Sequence, residues 1–374
     1  MNPWDAIVVG GGLAGGAAAI LLRRSGKRVL LLEKESKAHH KVCGEFISYE
    51  AAHYLTALGV NLDVLGAKSI DNFRLIRDKK IVCAKLPFQA YSLSRFALDE
   101  ALLDLAKAEG VEIIRGVTVT GMHEDVSGWR VTWASDEAKT SALFLATGKH
   151  DVRGWSRPQG LQNDLIGFKM HYQLQPDQMA ALSRHVEIIL FKDGYAGIEP
   201  VENGRANLCL VVKKSCFNRC NKKWDDVIKD ILSQTPHLAS RLNGAVASWP
   251  RPLAIYGIPY GFVFKAESND PPGLYRLGDQ IGVIPSFCGD GMAIALHTAA
   301  LAVSNYLKGS SYTYHVNAAK ELAPQIRRAT WLMTLASPAF AQNLILHIVH
   351  FIPCLLPFLA KKTRLTALRG MNIL

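Results

Sequence analysis

A strand, a glycine-rich turn and a helix open this chain, and together they constrain its fold more than any other segment. Residues 6–9 form a short apolar run typical of a fully buried strand, and the run ends at Gly10, Gly12 and Gly15 in GxGxxG spacing. Gly10 permits a tight turn, Gly12 lets backbone amides come close to a pyrophosphate, and Gly15 lets the following helix pack against the strand. The segment therefore predicts a phosphate-binding unit.

The next elements complete a nucleotide-binding pattern. The predicted helix begins at about Leu13, so that Leu13 and Ala14 lie in its first turn, and its amino end is directed at the phosphates. A second apolar strand over residues 29–32 brings Glu33, followed by Lys34, to a point about 20 residues past the first glycine, where a carboxylate accepts hydrogen bonds from a ribose. A GxGxxG motif alone is weak evidence, but these elements in this order predict a site for an adenine dinucleotide.

Chain length and cysteine usage bound the class of protein. With 374 residues, 49% of them hydrophobic, we expect two closely packed domains and a large core. The seven cysteines are odd in number and scattered, which favours reduced thiols in the cytoplasm. Cys209, Cys216 and Cys220 lack a CxxC pair and an obvious fourth ligand, so we predict no metal site. Because the glycine motif starts so near Met1, we expect no cleaved signal.

The patterning of the chain suggests how it is divided. Residues 1–150 and 271–310 are predicted to form the dinucleotide domain, with a small β-excursion near residues 70–92. Residues 151–270 contain short, alternating, turn-bounded runs, which predict an antiparallel β-sheet substrate domain. Residues 311–374 are rich in alanine and leucine and are predicted to be helical.

Four separated segments resemble a known group of proteins, the glutathione-reductase-type flavoproteins of the aromatic hydroxylase (group A flavin monooxygenase) and geranylgeranyl reductase superfamily. The segments are the GxGxxG unit with Glu33, the helix start at residues 94–103, the strand at residues 143–148, and LGDQIGVIPSFCGDGMAIALHTAA at residues 277–300. The resemblance implies an α/β fold with a Rossmann FAD-binding domain, and it implies FAD as the cofactor.

The resemblance also implies roles for residues in these segments. Arg95 would contact the nucleotide half of FAD, and Asp279 would hydrogen-bond the ribityl chain. A helix that follows Asp279 would point its amino end at the flavin ring, where the helix dipole stabilises the negative charge of the reduced ring. The remaining cofactor residues expected from these segments are Thr147, Gly148, Gly289, Gly291 and Met292.

Three segments bear on the reaction. The segment around Cys43, Gly44 and Glu45 resembles the active-site segment of prenyl reductases, so Cys43 and Glu45 are the candidate catalytic residues. An Asp-Gly pair that serves the nicotinamide donor in many hydroxylases is missing near residues 147–151, although NADPH or NADH remains the expected donor. The WxWxIP segment of flavin-dependent halogenases is replaced by GYAGIEP at residues 194–200, which argues against halogenation.

Three functions stay open, and we favour the first. A monooxygenase would hydroxylate a hydrophobic aromatic, polyketide or isoprenoid substrate, as in secondary metabolism. An ene-reductase would saturate a prenyl lipid, but its sequence signature is incomplete here. A non-catalytic flavin-binding accessory protein is the third. Eight aromatic residues of the predicted substrate domain are candidates for lining an apolar cavity, with fewer than half expected to face a ligand: Phe168, Tyr172, Phe191, Tyr195, Tyr256, Tyr260, Phe262 and Phe264.

Charge and hydropathy point to the partners. The formal net charge is +11, and residues 320–374 hold seven Lys or Arg against one acid. No nucleic-acid reader motif is present, so we predict no nucleic-acid partner. Residues 344–364 combine an apolar run, broken by two prolines, with basic residues, which predicts either peripheral contact with a membrane from the cytoplasmic side or packing over the substrate domain.

Overall fold

The computed structural model describes residues 4–125, 128–158, 160, 162–352 and 355–365. Ser127, which we expected at a hairpin turn, and Cys354 lie outside the described residues. The strands, in chain order, are β1 Ala6–Val9, β2 Val29–Glu33, β3 Phe46–Ile47, β4 Lys68–Arg77, β5 Lys80–Ser92, β6 Glu112–Arg115, β7 Val119–Asp125, β8 Gly128–Trp133, β9 Asp136–Thr140, β10 Leu143–Leu145, β11 Leu165–Gln173, β12 His185–Phe191, β13 Gly194–Val201, β14 Arg205–Lys213, β15 Val246–Ala247, β16 Leu253–Tyr256 and β17 Leu274–Arg276.

Helices cover one face of each main sheet and form the end of the described chain. In chain order they are α1 Leu13–Arg24, α2 Tyr49–Ala57, α3 Arg95–Ala108, α4 Pro176–Leu182, α5 Lys214–Arg219, α6 Trp224–Gln234, α7 Pro236–Leu242, α8 Gly291–Leu307, α9 Ser311–Leu335, α10 Ala339–Phe351 and α11 Leu355–Lys362.

Five strands form a parallel sheet in the order β17-β10-β1-β2-β6. Side chains alternate across each strand, so Ala6 and Val8 of β1 pack among α1, α3 and α8, whereas Ile7 and Val9 pack on the other face. That second face is covered by the antiparallel sheet β7-β8-β9 through Trp129. Both faces are therefore buried, as parallel sheets require, and the predicted Rossmann-type α/β fold is confirmed.

A larger, mostly antiparallel sheet has nine strands, in the order β15-β11-β14-β13-β12-β4-β5-β3 with β16 also paired to β11. On β11, Phe168 and Met170 face a core shared with α6, while Lys169 and His171 point to the opposite face. The predicted antiparallel sheet is confirmed. The excursion expected near residues 70–92 consists of β4 and β5, which join this sheet through a parallel pairing of β4 with β12.

Two extended segments that follow one another in the chain do not pair. Residues 254–256 belong to β16, which pairs with β11. In the second segment, residues 260–264, Tyr260 makes an isolated bridge with Gln162. Gly257, between the two segments, has a φ of +64°, a backbone conformation that favours glycine.

The helices at the end of the described chain pack on both sheets. Helix α9 lies against α8, whereas α10 and α11 lie against β4 and β5 of the large sheet. Within the described residues, no single helix is long and apolar enough to cross a membrane. Helices α9 and α10 would pass that test only as a pair, and they are bent by 108° to one another.

Candidate functional site

The carboxyl ends of four parallel strands meet at one edge of the sheet, and most of the predicted cofactor residues follow directly after them. Gly10 follows β1, Glu33 ends β2, Gly148 follows β10 and Asp279 follows β17. Ligands of open α/β sheets bind at this edge. The fold thus brings together residues that are as many as 269 positions apart, the separation from 10 to 279.

The glycine turn is held by close backbone packing. Gly10 has a φ of +105°, and a Cβ there would lie 2.5 Å from the carbonyl oxygen of Ala146. A Cβ on Gly15 would lie 1.8 Å from the carbonyl oxygen of Gly10, so α1 could not pack this closely with any other residue. Leu13 and Ala14 are the first two residues of α1, and both are buried.

The amino end of α1 is suited to an anion. No side chain caps it at Gly12, and its first turn contains no acid. A Cβ on Gly12 would lie 3.3 Å from Nη2 of Arg95 and 3.4 Å from Nζ of Lys41, so two cations flank this helix end. Free backbone N–H groups, the positive end of the helix dipole and two cations form the donor set that a pyrophosphate needs.

Glu33 and Lys34 have different settings. The buried Glu33 carboxylate accepts hydrogen bonds from the N–H of Gly11 at 2.6 Å and of Glu35 at 3.0 Å, so it is fixed at the edge of the glycine turn. Lys34 is exposed and forms an ion pair with Glu35 at 3.6 Å.

Arg95 begins α3 and is part of a compact charge cluster. Its guanidinium donates to both oxygens of Asp99, at 2.8 and 2.9 Å, and Lys41 Nζ lies 2.8 Å from the same carboxylate. Burial alone would raise the pKa of Asp99, but Arg95 and Lys41 hold it below its ordinary value. The cluster keeps a net positive charge of one beside Gly12.

Hydrogen bonds link the loop that follows β10 to the loop that follows β17. The Gln280 side-chain amide donates to the carbonyl oxygens of Gly148 at 2.9 Å and His150 at 3.0 Å. Gly148 has a φ of +62°, and the Thr147 hydroxyl donates to the His150 carbonyl at 2.6 Å. This fixes the short turn on which both Thr147 and Gly148 lie.

Asp279 is adjacent to a lysine that the sequence analysis did not assign. Its carboxylate lies 3.7 Å from Lys149 Nζ, and its backbone oxygen accepts a hydrogen bond from Arg157 at 2.6 Å. Burial alone would lower the pKa of Lys149, but the charge of Asp279 raises it above its ordinary value. Lys149 therefore carries a positive charge next to the carboxylate predicted to bind the ribityl chain.

The two glycines near the start of α8 have different surroundings. Gly289 has a φ of +68°, and a Cβ there would lie 2.7 Å from Phe46. A Cβ on Gly291 would meet nothing within 4 Å. Met292 is buried in the core, and the Asp290 carboxylate turns away from the helix axis to accept a hydrogen bond from Leu365 N at 2.8 Å.

Cys43 lies between the two sheets. Its Sγ accepts a hydrogen bond from the Glu45 N–H at 3.3 Å, and its carbonyl oxygen accepts one from Asn207 on β14, also at 3.3 Å. The thiol also interacts with the Arg95 guanidinium. Cys43 therefore stands where the charge cluster of the FAD-binding edge meets the large sheet.

Glu45 is the centre of a fully buried polar cluster. It takes the left-handed backbone conformation, with a φ of 59°, and its carboxylate pairs with Lys169 and lies 2.7 Å from Nε2 of His171. Its Oε1 also accepts a hydrogen bond from the Arg95 N–H at 2.8 Å. Although burial alone would raise the pKa of Glu45, Lys169 and His171 hold it below its ordinary value.

Other polar groups surround this cluster. Glu199 on β13 accepts a hydrogen bond from Asn207 at 2.7 Å, and burial raises the pKa of its carboxyl well above its ordinary value. Burial, followed by the charge of Lys169, lowers the pKa of His40 to about 4. The groups that His40, Glu45 and His171 offer lie within 4.8 Å of one another, but Lys169 already neutralises the carboxylate, which disfavours a cation there.

Two tyrosine hydroxyls meet at the loop before α8. Tyr195 of β13 lies 2.5 Å from Ser286 Oγ, and Tyr260 lies 2.7 Å from the same atom. Ser286 is exposed, so this hydroxyl group can be reached from solvent. Of the other aromatic lining candidates, Phe168, Tyr172 and Phe191 lie in the core on the helix-covered face of the large sheet, Phe262 lies in a smaller core with Tyr260, Phe264 packs against Arg276, and Tyr256 is exposed.

The three clustered cysteines separate in space. Cys209 points towards the polar face of the large sheet, and burial raises its pKa to about 12. Cys216 and Cys220 instead come together with Asp230, their ligand atoms within 4.8 Å of each other. Burial raises the pKa of the Cys216 thiol to about 11.

The sequence analysis missed Lys41, Lys149, Lys169 and His171. For two of them a signal was present, because Lys169 and His171 alternate with apolar residues in the strand FKMHYQ and so had to share one face. For Lys41 and Lys149 no such pattern exists, since both lie on loops.

Comparison with known proteins agrees with this geometry. The sequence of residues 4–146 matches the family described as an FAD binding domain. The free helix end, the flanking cations and the open space at Gly291 fit that cofactor. No curated protein sequence matches the chain.

Solved structures extend the likeness over nearly the whole chain. The flavin-dependent brominase Bmp2 is 19% identical, with a TM-score of 0.79 over 97% of this chain and 93% of that one. PqsL of Pseudomonas aeruginosa, a probable FAD-dependent monooxygenase, is 16% identical, with a TM-score of 0.74 over 91% of this chain and 98% of that one. A flavoprotein/dehydrogenase from Cytophaga hutchinsonii is 18% identical, with a TM-score of 0.78 over 90% and 86%.

At these identities the likeness concerns the fold and not the reaction. Together with the match of residues 4–146 to an FAD binding domain, it confirms the expected fold, which is that of FAD-dependent oxidoreductases. The roles expected for the individual site residues stay predictions.

Proposed function

We propose that this chain is an FAD-dependent monooxygenase of the cytoplasm that hydroxylates a hydrophobic aromatic, polyketide or isoprenoid compound, with NADPH or NADH as the electron donor. In such a reaction the substrate, O₂, the reduced nicotinamide and a proton give the hydroxylated product, the oxidised nicotinamide and water. FAD, when bound, supplies the transfer of one oxygen atom.

The observation that supports a hydroxylase is the pair of tyrosine hydroxyls near the predicted FAD residues. Saturating an isolated prenyl double bond needs an apolar lining at the reacting carbons. Here Tyr195 and Tyr260 instead present hydroxyls at Ser286, and Tyr260 interacts electrostatically with Lys149. Polar groups of this kind suit a ring that carries a hydroxyl group, which must be held in one orientation while an adjacent carbon reacts.

The tyrosines would orient the substrate. Burial raises the pKa of Tyr195 well above its ordinary value and also raises the pKa of Tyr260, so both hydroxyls stay protonated at neutral pH. A protonated hydroxyl can donate a hydrogen bond to a phenol or keto oxygen. The adjacent FAD-binding edge is flanked by Lys149, Lys41 and Arg95, whose positive charges favour a cofactor that carries two phosphates and gains electrons during turnover.

The test couples oxygen uptake to product mass. The FAD-loaded protein is supplied with NADPH or NADH, isotopically labelled O₂, and a panel of alkylphenols, polyketide phenols and prenylated lipids. Gain of one labelled oxygen atom per O₂ consumed supports the proposal. Gain of two hydrogen atoms instead identifies an ene-reductase, and bound flavin that neither nicotinamide reduces identifies an accessory protein. Either result overturns the proposal.

A variant pair tests the role of the tyrosines. Replacing both Tyr195 and Tyr260 by Phe should raise the KM of the hydroxylated substrate about tenfold, the loss expected for one or two hydrogen bonds, and leave FAD affinity unchanged. Tyr256→Phe is the matched control, because that side chain is exposed on β16, which pairs with β11. An unchanged KM in the double variant would remove the tyrosines from the substrate site.

A further inference from the structure

Helix α10 is apolar on two opposite faces. One face packs against β4 and β5 of the large sheet through Leu346 and Val349, which are 1% and 0% exposed, and through the Gln342 side chain, which accepts a hydrogen bond from Arg77. The other face carries Phe340 and Leu344, which are 75% and 56% exposed. Packing against the large sheet explains why the first face is apolar. It does not explain why the exposed face is apolar as well.

Large apolar side chains are also exposed at the end of α9, after α10 and on α11, the parts of the chain next to α10 in sequence. Soluble proteins normally scatter such residues singly. We call the whole set the C-terminal apolar surface: Trp331, Leu335, Phe340, Leu344, Ile348, Phe351, Ile352 and Phe358. It includes Trp331, and tryptophan favours the boundary between lipid and water.

The segment that carries this surface has charges of one sign, because after Glu321 the sequence contains no Asp or Glu through Leu374. Arg327, Arg328 and Lys362 of this segment are exposed. Arg364 is buried instead and paired with Glu50 at 3.3 Å. An apolar segment with exposed cations and no acids of its own is complementary to an anionic, apolar partner.

We propose that the C-terminal apolar surface docks on a membrane surface that contains anionic lipid. Helix α10 would lie in the plane of the headgroups, with Phe340, Leu344 and Phe351 inserted and the cations of the same segment on anionic headgroups. A second copy of this chain is the poorer occupant, because pairing two such surfaces would bring like charges together without any acid to neutralise them. This proposal does not depend on the reaction.

Vesicle flotation tests the proposal on the intact, FAD-loaded protein. Vesicles of phosphatidylcholine alone are compared with vesicles that also contain phosphatidylglycerol, at low and high salt. We expect flotation with the anionic vesicles that weakens as salt rises. The variant Phe340→Glu/Leu344→Glu should bind at least tenfold less, because it removes two large apolar side chains from the membrane and places two negative charges beside anionic lipid. Val246→Glu is the matched control, because Val246 is 65% exposed on β15, in the large sheet, and should float like the wild type.

A second measurement avoids introducing charges. Brominated lipids quench tryptophans that enter the bilayer, so quenching in the wild type should be lost in Trp331→Phe. Absence of flotation with anionic vesicles at low salt overturns the proposal. The proposal is also overturned if the double variant floats normally while sedimentation shows that the wild type is a dimer and the variant is not. In that case a second copy of the chain covers the surface.

Discussion

A substitution at Gly291 should change the affinity for FAD without destabilising the fold. Gly291 is the first residue of α8, and a Cβ added there would meet no protein atom within 4 Å. Replacing it by leucine should therefore not disturb the FAD-free protein. Because glycine is a poor helix former by about 1 kcal/mol, the free energy of unfolding should stay unchanged or rise by up to that amount.

FAD binding should respond in the opposite direction. If the flavin ring lies against the start of α8, the leucine side chain fills the space that the ring occupies. We expect the Kd for FAD to rise at least tenfold, which corresponds to a loss of about 1.4 kcal/mol. Urea unfolding of the FAD-free protein measures the first quantity, and quenching of flavin fluorescence during titration measures the second.

Gly289→Ala is the contrasting variant. Its φ of +68° strains any residue with a side chain, and its Cβ would lie 2.7 Å from Phe46, so both stability and FAD affinity should fall. Wild-type FAD affinity in Gly291→Leu, at unchanged stability, would refute the placement of the flavin at this helix.

Four further predictions concern charged and polar groups. Burial alone would raise the pKa of Glu187, but hydrogen bonds from a histidine and two arginines lower it from 4.5 to about 2. Glu187→Gln should cost about 3 kcal/mol of unfolding free energy at neutral pH. The difference should vanish as pH falls from about 4.5 towards about 2, because a lowered pKa stabilises only while the group is ionised. Lys169→Met should cost about 3–5 kcal/mol by leaving the buried Glu45 charge unpaired, and adding Glu45→Gln should recover part of it; purely additive unfolding energies in this double-mutant cycle would contradict the ion pair. Asp279→Ala should lower the FAD content of the purified protein, and an unchanged FAD content would remove Asp279 from the site. Cys43→Ser should change turnover, and unchanged turnover with an unchanged flavin spectrum would remove Cys43 from the site.

The nucleotide-binding unit could be predicted because its determinants are local. The steric role of Gly15 depends on a residue only five positions away, Gly10. The N-cap of α3 is a single residue, Ser94, whose hydroxyl accepts a hydrogen bond from Ala97 N. Each of these signals lies within one turn or one strand–helix unit. A regular spacing in the sequence therefore suffices to find them.

The polar cluster and the large sheet could not be predicted in the same way. Glu45 meets Lys169 and His171 across more than 120 positions, and neither spacing nor hydropathy specifies that contact. The pairing of β4 with β12 likewise joins residues 72–77 to residues 185–190. The sequence analysis also offered membrane contact and packing as alternatives for residues 344–364. In the structure α10 packs with one face, which leaves the opposite face available for the proposed contact.

Residues 363–365 connect the C-terminal apolar surface with the predicted flavin site. The N–H of Leu365 and the side chain of Gln325 both donate to the carboxylate of Asp290, the residue between the two glycines at the start of α8. Gln325 also donates to the Thr363 carbonyl at 2.8 Å, and Arg364 pairs with Glu50 of α2. The chain that leaves α11 is thus anchored at the helix whose amino end is expected to face the flavin. A change in the position of α11 on a membrane would move the partners of Asp290, and because coupling between two binding equilibria is reciprocal, lipid and FAD would then influence each other's affinity by the same factor.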